Sequence, residues 1–208
     1  MRALIFDTET TGIDPNNGYV VQLAFILHNT DNGVDELRGN FIRTPADWEI
    51  PKEASDVHGI STAMAKQLGL PMDVILNTFT QAILACDIVV GHNVKFDVDF
   101  ITNEYRNVLE QNNGWPVRFD TMQKNIEVCK VPLSDKQVAA QDRHKNSDGT
   151  FDWSPPDGWP KYRYPNLTAT YKHYFGTEFD NAHDAMADVE ATKAIFLKMQ
   201  EGDNDGEK

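Results

Sequence analysis

Apolar positions in this chain follow two periods. Short runs of branched and aromatic residues cover 2–7 (RALIFD) and 19–28 (YVVQLAFILH), with a turn-forming stretch at 12–18 between them, and predict neighbouring strands. A third strand near 37–43 would complete a meander. After a loop at 45–51, Met72, Ile75, Leu76, Phe79 and Ile83 recur at helical spacing. A buried strand follows at 88–91, then a helix marked by Val98, Ile101, Tyr105, Val108 and Leu109, then a strand running into Phe119. From 134 to 163 the periodicity disappears, and Trp153, Pro155, Pro156, Gly158, Trp159 and Pro160 predict an irregular insertion held down by its aromatics. Asn166 as N-cap and Gly176 just past the end frame a short helix, and Ala185, Val189, Thr192, Phe196 and Met199 mark a last one reaching about Gln200. The remainder, 201–208 (EGDNDGEK), reads as a flexible acidic tail. A strand meander followed by alternating strands and helices predicts an α/β fold, a single domain over 1–200 whose mixed central sheet carries helices on its faces.

Composition narrows the class. With 208 residues, 40% hydrophobic and 25% charged, the chain is long enough for one substantial core and has the balance of a soluble globular protein. The apolar run after Arg2 ends at Asp7, too early for a signal-peptide core, and no stretch approaches the roughly 18 to 20 apolar residues of a membrane span. These features predict a cytoplasmic protein with no membrane partner. Cys86 and Cys129 lie in no CxxC pair, so they support neither a zinc site nor a disulfide framework. A formal net charge of −13 excludes a broad basic face for nucleic acid. Residues 124–172 carry eight basic and six acidic side chains against 11 and 26 elsewhere, so the surface least repulsive to phosphate lies late in the chain.

Candidate chemistry comes in three segments. In LIFDTETTG, Asp7 and Glu9 stand two apart at the mouth of an apolar strand and therefore share a face. Their repulsion would raise a pKa unless a cation lies between them, although a solvated strand end is the plainer alternative. The turn through Thr10, Thr11 and Gly12 would let backbone amides approach a ligand. In GHNVKFDVDF, Asp97 opens a helix just beyond the 88–91 strand; it could equally be a first-turn acid that favours the helix end, as could Asp99. In HDAMADVEAT, His183 precedes Asp188 by five residues, about 500° of helix, so the two would stand about 140° apart if both were helical. A His183 in the loop before the first turn could swing back toward Asp188, whereas Asp184, four residues before Asp188, would share its face. Spacing alone leaves that choice open.

The ordered set DTET, HNxxFD and HxxxxD resembles the motifs of the DEDDh family of 3′-to-5′ exonucleases, the group that includes the proofreading subunit of bacterial replicative polymerase. The resemblance covers residues 3 to about 197, with echoes in VHGIS (57–61), FDTM (119–122) and NLTATYKHYFG (166–176). It implies a ribonuclease H-like sheet, Asp7, Glu9, Asp97 and Asp188 as metal ligands, and His183 as general base, which selects Asp188 over Asp184. The insertion is longer than in compact members of the family.

Phosphodiester hydrolysis by such a site uses two divalent cations about 3.5 to 4 Å apart, here Mg²⁺ or Mn²⁺ because the ligands are all hard oxygens. Asp7 is expected to bridge them, Glu9 and Asp188 to complete the shell of the first metal, and Asp97 to hold the second metal directly or through water. An imidazole, which titrates near neutrality, suits the base. His58 in the VHGI turn and Phe96 are candidate contacts to the terminal nucleotide, together with Thr10 and Gly12, while His92 and Asn93 read as groups that satisfy backbone at a strand end. His28, His144 and His173 have no partner pattern. The expected partner is the 3′ end of nucleic acid, DNA favoured over RNA, with single-stranded DNA as substrate, nucleoside 5′-monophosphates as product, and a polymerase or replication partner left open. Rival readings are an exoribonuclease with the same metal chemistry, a non-catalytic binding module, disfavoured because all five chemical positions are present, and an acidic cation-binding protein. The last fails because the segment around Asp148 and Gly149 lacks the leading acid and closing glutamate of a calcium loop.

Overall fold

The computed structural model describes residues 1–111, 114–155 and 157–204. Strands β1 (Arg2–Thr10), β2 (Val20–Asn29) and β3 (Val34–Ile42) form the expected antiparallel meander. Helices α1 (Lys52–His58), α2 (Thr62–Leu68) and α3 (Met72–Ala85) lead to β4 (Ile88–Gly91), and α4 (Val94–Leu109) leads to β5 (Val117–Asp120). β4 pairs parallel to β1 and β5 parallel to β4, so the sheet order is β3-β2-β1-β4-β5. The chain closes through α5 (Thr121–Lys124), α6 (Ile126–Cys129), α7 (Asp135–Asp142), α8 (Leu167–Phe175) and α9 (Ala185–Asn204). This is the mixed α/β sheet of the ribonuclease H-like class. No helix among the described residues is long and apolar enough to cross a membrane.

β1, β2 and β4 read as nearly unbroken apolar runs because both sheet faces are covered there. Side chains alternate along β1: Leu4 and Phe6 enter a cluster with Ile75, Leu76 and Phe79 of α3 and Val98 and Ile101 of α4, whereas Ala3 and Ile5 enter another with Ala185, Val189 and Phe196 of α9. The alternation dictates what each residue after Phe6 can meet. Odd positions face α9, and even positions face α3 and α4.

Four features differ from the sequence expectation. α1 and α2, each seven residues long, occupy a stretch where no periodic signal stood out, since a helix of two turns presents too few apolar positions to show a period. α5 and α6 are single turns of the same kind. The stretch at 134–163 contains a true helix, α7, with a reciprocal Ser134–Gln137 capping box, yet it buries no residue and so has no apolar face for a pattern to reveal. α9 runs four residues beyond Gln200, to Asn204, and the rest of the expected tail, 205–208, lies outside the described residues.

Candidate active site

β1, β4 and β5 run parallel, so their C-terminal ends share one edge of the sheet, and every predicted catalytic residue gathers there. Asp7 and Glu9 lie on the odd, α9-facing side of β1, where Asp188 in the first turn of α9 meets them. One carboxylate oxygen from each of the three falls within 4.8 Å of the others. A register shift in the β1–β2 pairing directly after Glu9 ends the regular ladder at this point.

Asp97 arrives from the opposite face. It sits in the first turn of α4, 3% exposed, and its Oδ1 accepts from both the backbone N–H (3.0 Å) and the hydroxyl (2.7 Å) of Thr8. Thr8 is thus the even residue between two odd carboxylates, and it ties the α4 acid to the strand that carries the other two. The sequence reading passed over Thr8; its position inside DTET, with a hydroxyl pointing to the other face, was the available signal.

His183 lies in the turn before α9 with φ +71° and is exposed, and its backbone N–H stands 3.4 Å from both oxygens of Asp188. The 140° separation of a continuous helix therefore does not apply. Asp184 is occupied otherwise: its carboxylate accepts from the N–H groups of Met186 and Ala187 and caps α9. Gln22, 4% exposed and opposite Glu9 in the β1–β2 register, accepts from the N–H of Ala185 and holds the same helix end to the sheet.

Gathering four carboxyls without a counter-charge is costly, and their proton affinities record it. Burial, then the charges of Asp97, Asp188 and Glu9, hold Asp7 well above the usual carboxylate range. Burial followed by the charges of Asp188 and Asp97 pushes Glu9 up to about 8. Burial raises Asp97 to about 7 against the two hydrogen bonds from Thr8, and Asp188 to about 6 against the His183 N–H. A cluster whose proton affinity is raised by burial and by mutual repulsion is one a divalent cation would discharge, and the all-oxygen donor set fits hard cations.

A cleft of about 460 Å³ opens beside Glu9, lined by Thr8, Thr10, Gly12, Val57, His58 and Phe96 among others. All four predicted nucleotide-contacting residues therefore line one hollow. The Thr10 hydroxyl donates to the Gly12 carbonyl (2.7 Å) and shapes the rim. Gly12 has open space where a Cβ would stand and no left-handed φ, so neither packing nor turn geometry demands glycine there, and the expected close backbone approach has no counterpart within the fold. His58 is buried: its Nδ1 accepts from the Ile60 N–H (3.1 Å), which puts the ring proton on Nε2, and that atom has no protein partner. Phe96 is half-buried against Phe100, with ring centroids 4.9 Å apart.

A model of the exonuclease family (RNase T type) matches residues 4–196. The chain belongs to that family. Its curated relatives include the DNA polymerase III epsilon subunit of Rickettsia prowazekii, 31% identical over 104 residues (50% of this chain, 44% of the relative), and the PolC-type DNA polymerase III of Bacillus subtilis, 26% identical over 198 residues (94% of this chain, 11% of the relative). Among solved structures, E. coli Exonuclease I in complex with a dT13 oligonucleotide superposes with a TM-score of 0.65 at 25% identity, over 96% of this chain and 41% of that one. Exonuclease I from Methylocaldum szegediense superposes with a TM-score of 0.63 at 24% identity, over 96% and 40%. The chain thus spans less than half the length of these relatives.

In this exonuclease-family chain, His92 and Asn93 take structural posts. His92 bonds the Thr121 hydroxyl (2.9 Å) and the Pro165 carbonyl (3.0 Å), and the Asn93 N–H donates to Asp120 (3.0 Å). Asp120, within the FDTM segment, also caps α5 through the N–H groups of Met122 and Gln123, so a single carboxylate oxygen anchors the starts of both α4 and α5. Among the other histidines, His28 pairs with Asp35 (2.7 Å) beneath α9, and His144 belongs to an aromatic cluster in the insertion.

Proposed function

We propose that this protein is a metal-dependent 3′-to-5′ exonuclease of the cytoplasm that removes nucleoside 5′-monophosphates from the 3′ end of DNA, preferentially single-stranded. The observation that carries the reading is the convergence of Asp7, Glu9 and Asp188 within 4.8 Å, with Asp97 fastened to the intervening Thr8 and His183 in the turn that leads to Asp188. Two divalent cations, Mg²⁺ or Mn²⁺, would be held by Asp7, Glu9, Asp97 and Asp188, supplying a nucleophilic water near neutral pH and neutralising charge on the attacking and leaving oxygens. By donating two hydrogen bonds to one oxygen, Thr8 aims Asp97 and offsets part of the rise that burial imposes on it, and the His183 N–H does the same for Asp188 more weakly. His183, exposed on its turn, accepts the proton of the attacking water at its ring nitrogen and releases it to solvent. The cleft beside Glu9 receives the terminal nucleotide: Phe96 offers a half-buried face for the base, and the His58 ring lines the wall. Exonuclease I, the solved neighbour carrying a dT13 oligonucleotide, supports DNA over RNA as the substrate.

The test is hydrolysis of matched 5′-labelled DNA and RNA strands with and without EDTA. We expect a 3′-to-5′ ladder on DNA that chelation abolishes and Mg²⁺ or Mn²⁺ restores; activity that survives exhaustive chelation refutes the reading. Replacing His183 by Ala should lower the rate by roughly 10² to 10⁴ and leave metal-induced stabilisation largely intact. Asp7→Asn should weaken both.

A further inference from the structure

Cations elsewhere in this chain are mostly neutralised by its own acids. Arg2, Arg38, Arg43, Lys52, Lys95, Lys193 and Lys198 all form ion pairs. Across 124–172 the pattern inverts: among the described residues Lys172 alone of the eight basic side chains is paired with a carboxylate, and Lys145, Lys161 and Arg163 stand exposed without one. Two acids of the same segment are engaged locally, Asp152 with His144 (3.0 Å) and Asp148 with the N–H and hydroxyl of Thr150.

The same segment carries a preformed aromatic surface. A small hairpin, closed by Asp152 N–H to His144 O (2.9 Å) and Asn146 N–H to Thr150 O (2.7 Å), presents Phe151 and Trp153. Trp159 packs edge-on against Trp153 (5.6 Å) and its indole N–H donates to the Trp153 carbonyl (3.3 Å), while the His144 ring lies 5.1 Å from Trp153. None of these rings belongs to the three buried clusters of the core. Rings that only pinned a loop would bury one another, yet Phe151 remains 39% and Trp153 54% exposed. The insertion starts beyond the C-terminal end of β5 and returns through Pro165, whose carbonyl accepts from His92 directly after β4, so its base is anchored at the same sheet edge as the carboxylates.

We propose that the insertion is a second contact surface for single-stranded nucleic acid, on which bases stack against Trp153 and Phe151 while Lys145, Lys161 and Arg163 meet the phosphates of the strand that leads into the cleft. Unpaired cations beside open aromatic faces match a phosphate chain with splayed bases, and residues 124–172 hold eight basic against six acidic side chains in a chain of net charge −13. The inference rests on the nuclease reading, so the two are tested apart. The unsubstituted enzyme is assayed on the p-nitrophenyl ester of thymidine 5′-monophosphate, which has no upstream nucleotide and probes the catalytic cleft alone. The insertion is probed by binding of inactive Asp188→Asn, in Ca²⁺, to 5′-labelled oligodeoxynucleotides from two to about twelve nucleotides long.

Affinity should rise with length; adding Trp153→Ala should lower it about tenfold for the long strand, and Trp153→Phe should restore most of the loss. Lys161→Ala with Arg163→Ala should reduce the salt slope by about 1.4, the value for two single-strand phosphates. Hydrolysis of the small ester combined with affinity independent of length, or with unchanged binding in these variants, overturns the contact surface and leaves the nuclease standing. A loss in Trp153→Ala that Trp153→Phe fails to restore means that the ring only supports the loop, and it also overturns the proposal. No hydrolysis of the ester in Mg²⁺ or Mn²⁺ counts against the nuclease reading itself.

Discussion

Strip the divalent cations from this protein and raise the pH from about 5 to about 8: the fold should lose stability, which is the reverse of what surface carboxylates do. Glu9 rises from an ordinary 4.5 to about 8 and Asp97 from 3.8 to about 7, burial being the leading cause for both. The folded state therefore holds more protons than the unfolded chain between these values. Their stabilising effect is complete below about 4 and is lost as pH climbs through about 7 to 8. At 1.4 kcal/mol per pH unit, Glu9 alone corresponds to about 5 kcal/mol and Asp97 to about 4 kcal/mol. Protonating one carboxyl relieves its neighbours, so these do not add, and we expect about 3 to 5 kcal/mol in all, a large share of a typical domain's stability. Carboxyls held below their usual range, such as Asp35 beside His28 and Lys193, act oppositely under acid and place the metal-free optimum near pH 5. The assay is urea unfolding across this pH range in EDTA and in excess Mg²⁺ or Mn²⁺. Metal should abolish the decline and raise the midpoint most at pH 8, because cations that bind only the folded state stabilise it by mass action. A metal-free stability that is flat or rises from pH 5 to 8, with no gain from metal at pH 8, refutes the reasoning.

Other expectations follow from single contacts. Thr8→Val deletes the 2.7 Å hydroxyl bond to Asp97 but keeps the backbone donor, so it should cost about 1 to 2 kcal/mol in metal-bound stability and lower the rate several-fold; an unchanged rate would show that Thr8 does not orient Asp97. Phe79→Ala opens a cavity in the cluster between the sheet and α3–α4 and should destabilise by about 3 to 5 kcal/mol in urea titrations, with the metal response retained in the folded fraction. With a net charge of −13 and a grip confined to Lys145, Lys161 and Arg163, binding of Asp188→Asn to a 3′ single strand should show a log-log salt slope near or below about 2 and digestion should be distributive; a much steeper slope would reveal an extended basic track.

That Asp7 and Glu9 would share a face was legible in the sequence because the information is local, whereas Asp97, His183 and Asp188 were added to them only by the resemblance of the ordered motifs to a known family. Strand alternation alone puts Asp7 and Glu9 on one face, and the apolar runs of β1, β2 and β4 announce a sheet covered on both sides. How the residues meet was not. Whether His183 or Asp184 stands beside Asp188 turns on a left-handed φ in the turn before α9 and on Asp184 Oδ1 serving as a helix cap, which spacing cannot distinguish. That Asp97 reaches the cluster by way of Thr8, from the opposite face of the sheet, depends on a contact between residues 89 positions apart. Likewise α1, α2 and α7 escaped the reading because helices this short, or this exposed, bury too little to impress a period on the chain. Patterns within one element are set by backbone geometry and survive in the sequence; the partner that one element finds in another is set by packing, and only the folded chain decides it.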